Sequence, residues 1–190
     1  MTPVQTVARW TDWDRHGLDQ CLFTRDDTGL RLEGYVIGGR ANSAFAARYL
    51  VRTDRSLRTR HVQVSFLGGP EIRLAADGEG TWSNEVTQAV EEGLAGCLDV
   101  DFAATPATNT LPILRLDLAR GDAADIRVAY LSMPDRPGTV AAPTAVPQRY
   151  VRLDDRLYRY VSKTSGFTAE VCFDETGIVE DYPGAFRRLR

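Results

Sequence analysis

Polar and apolar residues alternate along most of this chain, the mark of half-buried β-strands. In residues 29–38, Leu30, Leu32 and Val36 share one face, and Arg31, Glu33 and Tyr35 the other. Ahead of them, 20–25 reads as a strand that reverses through Asp26-Asp27-Thr28-Gly29, where glycine supplies the positive φ of a tight turn. Residues 45–53 place Phe45, Ala47, Tyr49 and Val51 on one side, and 57–66 place Arg58, Arg60, Val62, Val64 and Phe66 on one side. Residues 70–76 alternate through Ile72 and Leu74 and meet the turn Asp77-Gly78. In 97–102 the same rule sets Cys97, Asp99 and Asp101 against Leu98, Val100 and Phe102. In 113–118 it sets Ile113, Arg115 and Asp117 against Leu114, Leu116 and Leu118. A further strand over 125–133 precedes a meander of 148–153, 156–163, 166–173 and 177–181, with a second turn at Asp174-Glu175-Thr176-Gly177. One helix is predicted, from Glu85 to Leu94, capped by Asn84. Many short strands with regular turns predict an all-β, predominantly antiparallel roll, barrel or sandwich with at most one or two short helices.

Two connections stand out. Ala103–Pro112 carries two prolines and small or hydroxylic side chains, which predicts a stiff, wide loop with Asn109 bonded to its own backbone. Residues 134–147 hold four prolines and Gly138. They read as a surface connection or flap within one domain spanning 1–190, because too little chain follows to build a second core.

The 190 residues carry 43% hydrophobic side chains, enough for a real core. A net charge of -3, from 23 basic and 26 acidic residues, excludes the cationic surface that non-specific nucleic-acid binding requires. Lys163 is the lone lysine, so the basic set is almost all arginine, whose planar fork suits carboxylate or phosphate. Cys21, Cys97 and Cys172 are too few and too scattered for a disulfide framework. The start, Met1-Thr2-Pro3-Val4-Gln5, lacks a signal peptide's charged and apolar regions, and no apolar run reaches the length of a membrane span. A cytoplasmic chain is expected, which would take up any lipid-tailed ligand internally or at a peripheral surface. His16 and His61 sit in no metal-ligand spacing, no cofactor motif is present, and no nucleophile elbow appears. A Cys97–His61–Asp99 assembly and an inert strand cysteine are both compatible with the pattern.

Against this background, Gly96-Cys97-Leu98-Asp99-Val100-Asp101-Phe102, followed by Thr105-Pro106 and Asn109-Thr110-Leu111-Pro112-Ile113, resembles the signature of the putative glycolipid-binding family. Gly80-Thr81-Trp82 upstream agrees, as do Ala129-Tyr130, Gln148-Arg149-Tyr150, Tyr158-Arg159-Tyr160 and the C-terminal Asp181-Tyr182-Pro183-Gly184. The match runs from about residue 20 to the end. The resemblance implies a spiral β-roll, an incomplete barrel similar to the carriers of bacterial lipoproteins. The chain departs from the pattern at Ala107, where a bulky aromatic is common, and at Leu114, where a second arginine is common.

Three groups are candidate ligand contacts. Asp99, Asp101 and Arg115 offer acceptors and donors that suit sugar hydroxyls, or form an ion pair that fixes register. Asn109 and Thr110 stand in the stiff loop, which could close over a ligand or simply shape a connection. Trp82, Tyr150, Tyr158 and Tyr160, with Tyr35, Tyr49 and Tyr130, could stack on sugar or acyl chain or fill the core, and Tyr158 and Tyr160 share a strand face. Arg48, Arg58 and Arg60 could make a cationic stripe for a head group, or a solvated face. Three functions follow: a non-enzymatic binder of a glycolipid-like amphipathic small molecule, a hydrolase or lyase using Asp99 and Asp101 as acid and base on an acylated or glycosylated small molecule, or an interaction domain that offers an edge strand to a partner or to itself, as in a homodimer buried along residues 156–173.

Overall fold

A computed structural model describes residues 2–39, 43–136 and 138–190, and so leaves Met1 of the N-terminal reading and Pro137 of the proline-rich connection outside the described residues. The first half of the chain gives β1 (Val4–Asp12), β2 (Leu18–Arg25), β3 (Leu30–Gly38), β4 (Phe45–Thr53), β5 (Thr59–Phe66), β6 (Glu71–Ala76) and β7 (Trp82–Asn84). After β8 (Asp99–Phe102) and the α-helix α1 (Thr110–Leu116) come β9 (Ala123–Leu131), β10 (Thr144–Arg152), β11 (Leu157–Ser162), β12 (Thr168–Phe173), β13 (Val179–Tyr182) and β14 (Phe186–Arg188).

All of these strands join one sheet, in the order β7-β6-β5-β4-β3-β2-β1-β14-β13-β12-β11-β10-β9-β8. Each half of the chain is therefore a meander, and β1 and β14 zip the two halves together at mid-sheet. Every pairing is antiparallel except β8 with β9, and a parallel pair needs a crossover of a dozen residues or more. Residues 103–122 provide it and carry α1.

The sheet curls into an incomplete barrel, as expected. Its two edges, β7 and β8, form no ladder with each other. They come close nonetheless: Thr59 N–H donates to Leu98 O at 2.9 Å, Gly96 N–H to Gly80 O at 2.9 Å, and the Trp82 indole N–H to Cys97 O at 2.8 Å. The free side of β7 is covered by the returning chain, where Asn84 N–H donates to Ala89 O and Glu91 N–H to Trp82 O, both at 2.9 Å, which blunts that edge. Residues 156–173 are paired on both sides, so they offer no edge to a partner, contrary to the sequence expectation.

One core cluster gathers Trp10, Leu32, Tyr49, Val62, Leu74 and Trp82 from the first half, and another gathers Tyr150, Tyr158, Tyr160, Val171, Phe173 and Val179 from the second. The crossover joins them, since Leu111 belongs to the first and Ile113 to the second.

Several local readings are corrected. Residues 113–118 do not form a strand. Thr105 caps a 3-10 turn, Pro106–Asn109, by accepting the Ala107 N–H at 3.0 Å, and α1 follows directly. Pro112 falls in the first turn of α1, where a missing N–H costs nothing. Asp117 ends the helix at φ 42°, a left-handed conformation that aspartate tolerates. Glu85–Leu94 is not a helix either. The Asn84 carboxamide oxygen accepts from Val86 and Thr87 N–H at 2.9 and 3.1 Å, which bends the chain back to a bridge between Val90 and Ser83, and only Glu92–Leu94 makes a 3-10 turn. In β5 the register shifts where Thr53 pairs Thr59, so Arg60 turns outward instead of following Val62. The connection after β9 ends early, because β10 starts at Thr144 and takes Pro147 within it, opposite Arg127.

Candidate functional site

At one end of the roll the turns β1–β2, β3–β4, β11–β12 and β13–β14 meet the C-terminal ends of β8 and β9. Two cavities open there. The first, about 440 Å³, is walled chiefly by Trp10, Trp13, Val36, Ile37, Phe45 and Pro134, with Asp12, Asp14 and Asp19 set into the wall. The second, about 360 Å³, is walled by Asp101, Asn109, Tyr130, Tyr160, Tyr182 and Phe167, with Ser162, Thr164 and Ser165 around it. Ala103, Met133, Ala185 and Phe186 line both, so the cavities are neighbours across a shared wall. Each falls in the size range of small-molecule sites, about 300–1,000 Å³.

The crossover furnishes the floor between them. Thr105 lines the second cavity, yet its hydroxyl donates to the carboxylate of Asp19, which lines the first. The Tyr49 hydroxyl donates to the same carboxyl at 3.0 Å. Tyr49 reaches it because its ring lies across Gly34, where an added Cβ would stand 2.3 Å from the ring. Asp19 is 2% exposed and has no basic partner among the described residues. Burial pushes its carboxyl up to about 7, with the hydrogen bonds of Thr105 and Tyr49 opposing part of the rise.

On the other side Asp101 accepts from the Gln148 amide at 2.6 Å and from Thr108 Oγ1 at 3.4 Å. Burial raises its pKa too, against those two bonds. Asn109 does not bond its own backbone: its amide donates to the Tyr150 hydroxyl at 3.0 Å. Burial and the Asp101 charge hold the Tyr150 phenol well above its ordinary range.

Of the sequence candidates, Asp101, Asn109, Tyr130 and Tyr160 meet at the second cavity. The others lie elsewhere. Asp99 is fully buried and gripped by the Arg115 guanidinium at 2.9, 3.2 and 2.6 Å, so the ion pair links strand β8 to helix α1 instead of two strands. Thr110 is 1% exposed and Trp82 1% exposed, both within the interior, and Tyr150 stands behind Asn109. Tyr158 packs edge-on against Phe173 and under Arg152, so it and Tyr160 form no open platform. The arginine stripe does not form, since Arg48 pairs with Glu33, Arg58 with Glu79 and Arg60 with Asp54. No Cys97–His61–Asp99 assembly forms: His61 faces Glu85 at 3.5 Å, and burial pushes the Cys97 thiol up to about 11. Among the described residues no three His, Cys, Asp or Glu side chains converge as a metal site, and no helix is long and apolar enough to cross a membrane.

Sequence reading missed Asp19, Trp10 and Phe186 because β1, the start of β2, and β14 were not recognised. The signal for Asp19 was present: alternation puts it on one face with Cys21 and Phe23, all three buried. The two departures from the family pattern are structural here. Ala107 is fully buried in the first core, and Leu114 packs over Gly177.

No curated protein matches the chain. The crystal structure of a DUF1089 family protein from Pseudomonas aeruginosa, at 1.80 Å resolution, is similar with a TM-score of 0.76 and 33% identity, over 90% of this chain and 92% of that one. A family described as "Putative glycolipid-binding" matches residues 7–188, which extends the likeness into β1 and across both cavities. With that span covered and the incomplete barrel in place, the chain belongs to the "Putative glycolipid-binding" family.

Proposed function

We propose that this protein, as one β-roll domain, binds an amphipathic small molecule of glycolipid type across the paired cavities. The observation that carries the reading is their juxtaposition: a cavity with a Trp10, Val36 and Phe45 wall and Asp12, Asp14 and Asp19 beside it, and a hydroxyl-rich, tyrosine-walled one, share Ala103, Met133, Ala185 and Phe186. The apolar portion lies against Trp10, Val36 and Phe45, where burial contributes about 25 cal/mol per Å². The polar portion meets Asp101, Asn109 and Tyr160, whose fixed acceptors and donors suit hydroxyls. Asp99 and Arg115 hold the crossover in place and touch neither portion. A division of acid and base roles between Asp99 and Asp101 finds no support, because Asp99 lines neither cavity.

Dodecyl β-glucoside, titrated calorimetrically below its critical micelle concentration, is expected to bind saturably at one site with a negative heat-capacity change. Ala103→Phe puts a ring into the shared wall and is expected to weaken that binding at least about tenfold, or about 1.4 kcal/mol. Equal binding by both proteins, or no saturable binding by the wild type, refutes the reading.

A further inference from the structure

We propose that the second cavity is an ammonium site, so that the polar end of its ligand carries a cationic nitrogen held by aromatic faces and Asp101. This rests on the amphiphile reading above and narrows its ligand class.

Three rings converge on the cavity. Tyr160 and Phe167 have centroids 6.3 Å apart, Tyr160 and Tyr182 5.9 Å, and Phe167 and Tyr182 6.2 Å. Tyr130 adds a fourth ring to the wall. Ring faces are negative, and a cation within about 6 Å of a centroid is drawn to them, more strongly where water is excluded.

The charge arrangement agrees. The chain has 23 lysine and arginine residues, yet none lines either cavity among the described residues. Asp101 has only the neutral donors Gln148 and Thr108, unlike Asp99, which Arg115 neutralises. Its carboxyl therefore has no cation beside it among the described residues. Gln148 adds an unanswered acceptor: it is 1% exposed, and its Oε1 has no hydrogen-bond partner. Strand alternation sets Gln148 on the same face as Val146, a wall residue, and opposite Ser162, another. An ammonium group supplies the positive charge that this wall lacks. A carboxylate or phosphate would meet Asp101 with nothing to offset the repulsion.

The test holds the chain constant and changes the head. Dodecyltrimethylammonium, dodecyl β-glucoside and dodecanoate are titrated calorimetrically below their critical micelle concentrations. The ammonium is expected to bind about tenfold tighter than the glucoside, with dodecanoate weakest. Choline is expected to compete with dodecyltrimethylammonium, which separates the site from a general pull of the protein's net charge of -3. Asp101→Asn is expected to abolish the preference for ammonium over glucoside. Phe167→Ala, at an exposed wall position, is expected to reduce ammonium affinity several-fold and glucoside affinity less than twofold, and it decides the matter if Asp101→Asn fails to fold. Equal affinities, a preference for glucoside or dodecanoate, no competition by choline, or an ammonium preference undiminished in the folded variants overturns the ammonium site and leaves the amphiphile reading standing. No saturable binding of any of the three overturns both.

Discussion

Arg115→Ala is expected to cost about 3–5 kcal/mol of folding stability, the typical penalty for stranding one partner of a buried ion pair. The Asp99 side chain is wholly inaccessible and that of Arg115 is 14% exposed, so solvent screens the pair little. Burial raises the Asp99 pKa, and the guanidinium offsets part of the rise. Without Arg115 the carboxyl either stays charged with no partner or takes up a proton. The penalty is therefore expected to be greatest at neutral pH and above, and to shrink as pH falls, because a protonated Asp99 needs no cation. Urea unfolding at pH 7.5 and pH 5 measures both. Arg115→Met combined with Asp99→Leu is expected to recover most of the loss, since an apolar pair leaves no uncompensated charge. A loss below about 1 kcal/mol for Arg115→Ala would mean that the pair behaves as a surface salt bridge.

Asp19→Asn is expected to stabilise the protein above neutral pH by on the order of 4 kcal/mol and to change it little near pH 4. In the folded chain the carboxyl titrates at about 7, against 3.8 ordinarily. Between those values the folded state holds a proton that the unfolded state has released, so the Asp19 contribution declines as pH rises. Every pH step of one between the two values removes about 1.4 kcal/mol, and the decline is complete once pH passes the folded value. Asparagine does not titrate and escapes the decline. Denaturant midpoints of both proteins from pH 4 to pH 9 give the difference directly. A variant less stable than wild type at pH 8 would mean that the folded chain stabilises an ionised Asp19. The same neutrality bears on ligand binding: through weakly acidic pH an uncharged Asp19 leaves one charge fewer on the first cavity, whose wall also carries Asp12 and Asp14.

The sheet was legible in the sequence because its signal is local. Alternation at Leu30-Leu32 and at Val62-Val64 reports burial of one face, and turns such as Asp174–Gly177 report reversal. The crossover was not legible in the same way. Thr110–Leu116 is only seven residues long, and two turns of helix alternate almost as a strand does over so short a stretch. Its proline suggested a loop, although the first turn of a helix accepts one. The Arg60 shift was hidden because a one-residue bulge leaves no mark in composition. β1 and β14 pair across the whole length of the chain, and β14 is three residues long, too short for any pattern. The site inherits these gaps. Asp101, Asn109 and Tyr160 were visible as polar or aromatic residues in the family's motif, whereas Asp19, Trp10 and Phe186 depend on strands that only the assembled sheet reveals.

Native mass spectrometry of protein purified without detergent, with organic extraction of whatever it retains, tests most directly whether the paired cavities hold an amphiphile. The expected result is a reproducible adduct of lipid mass on the wild type, reduced or lost in Ala103→Phe, with an extract that contains an acyl or alkyl chain and a polar head. A clean apo mass in every preparation, together with no uptake of offered amphiphiles, would contradict it.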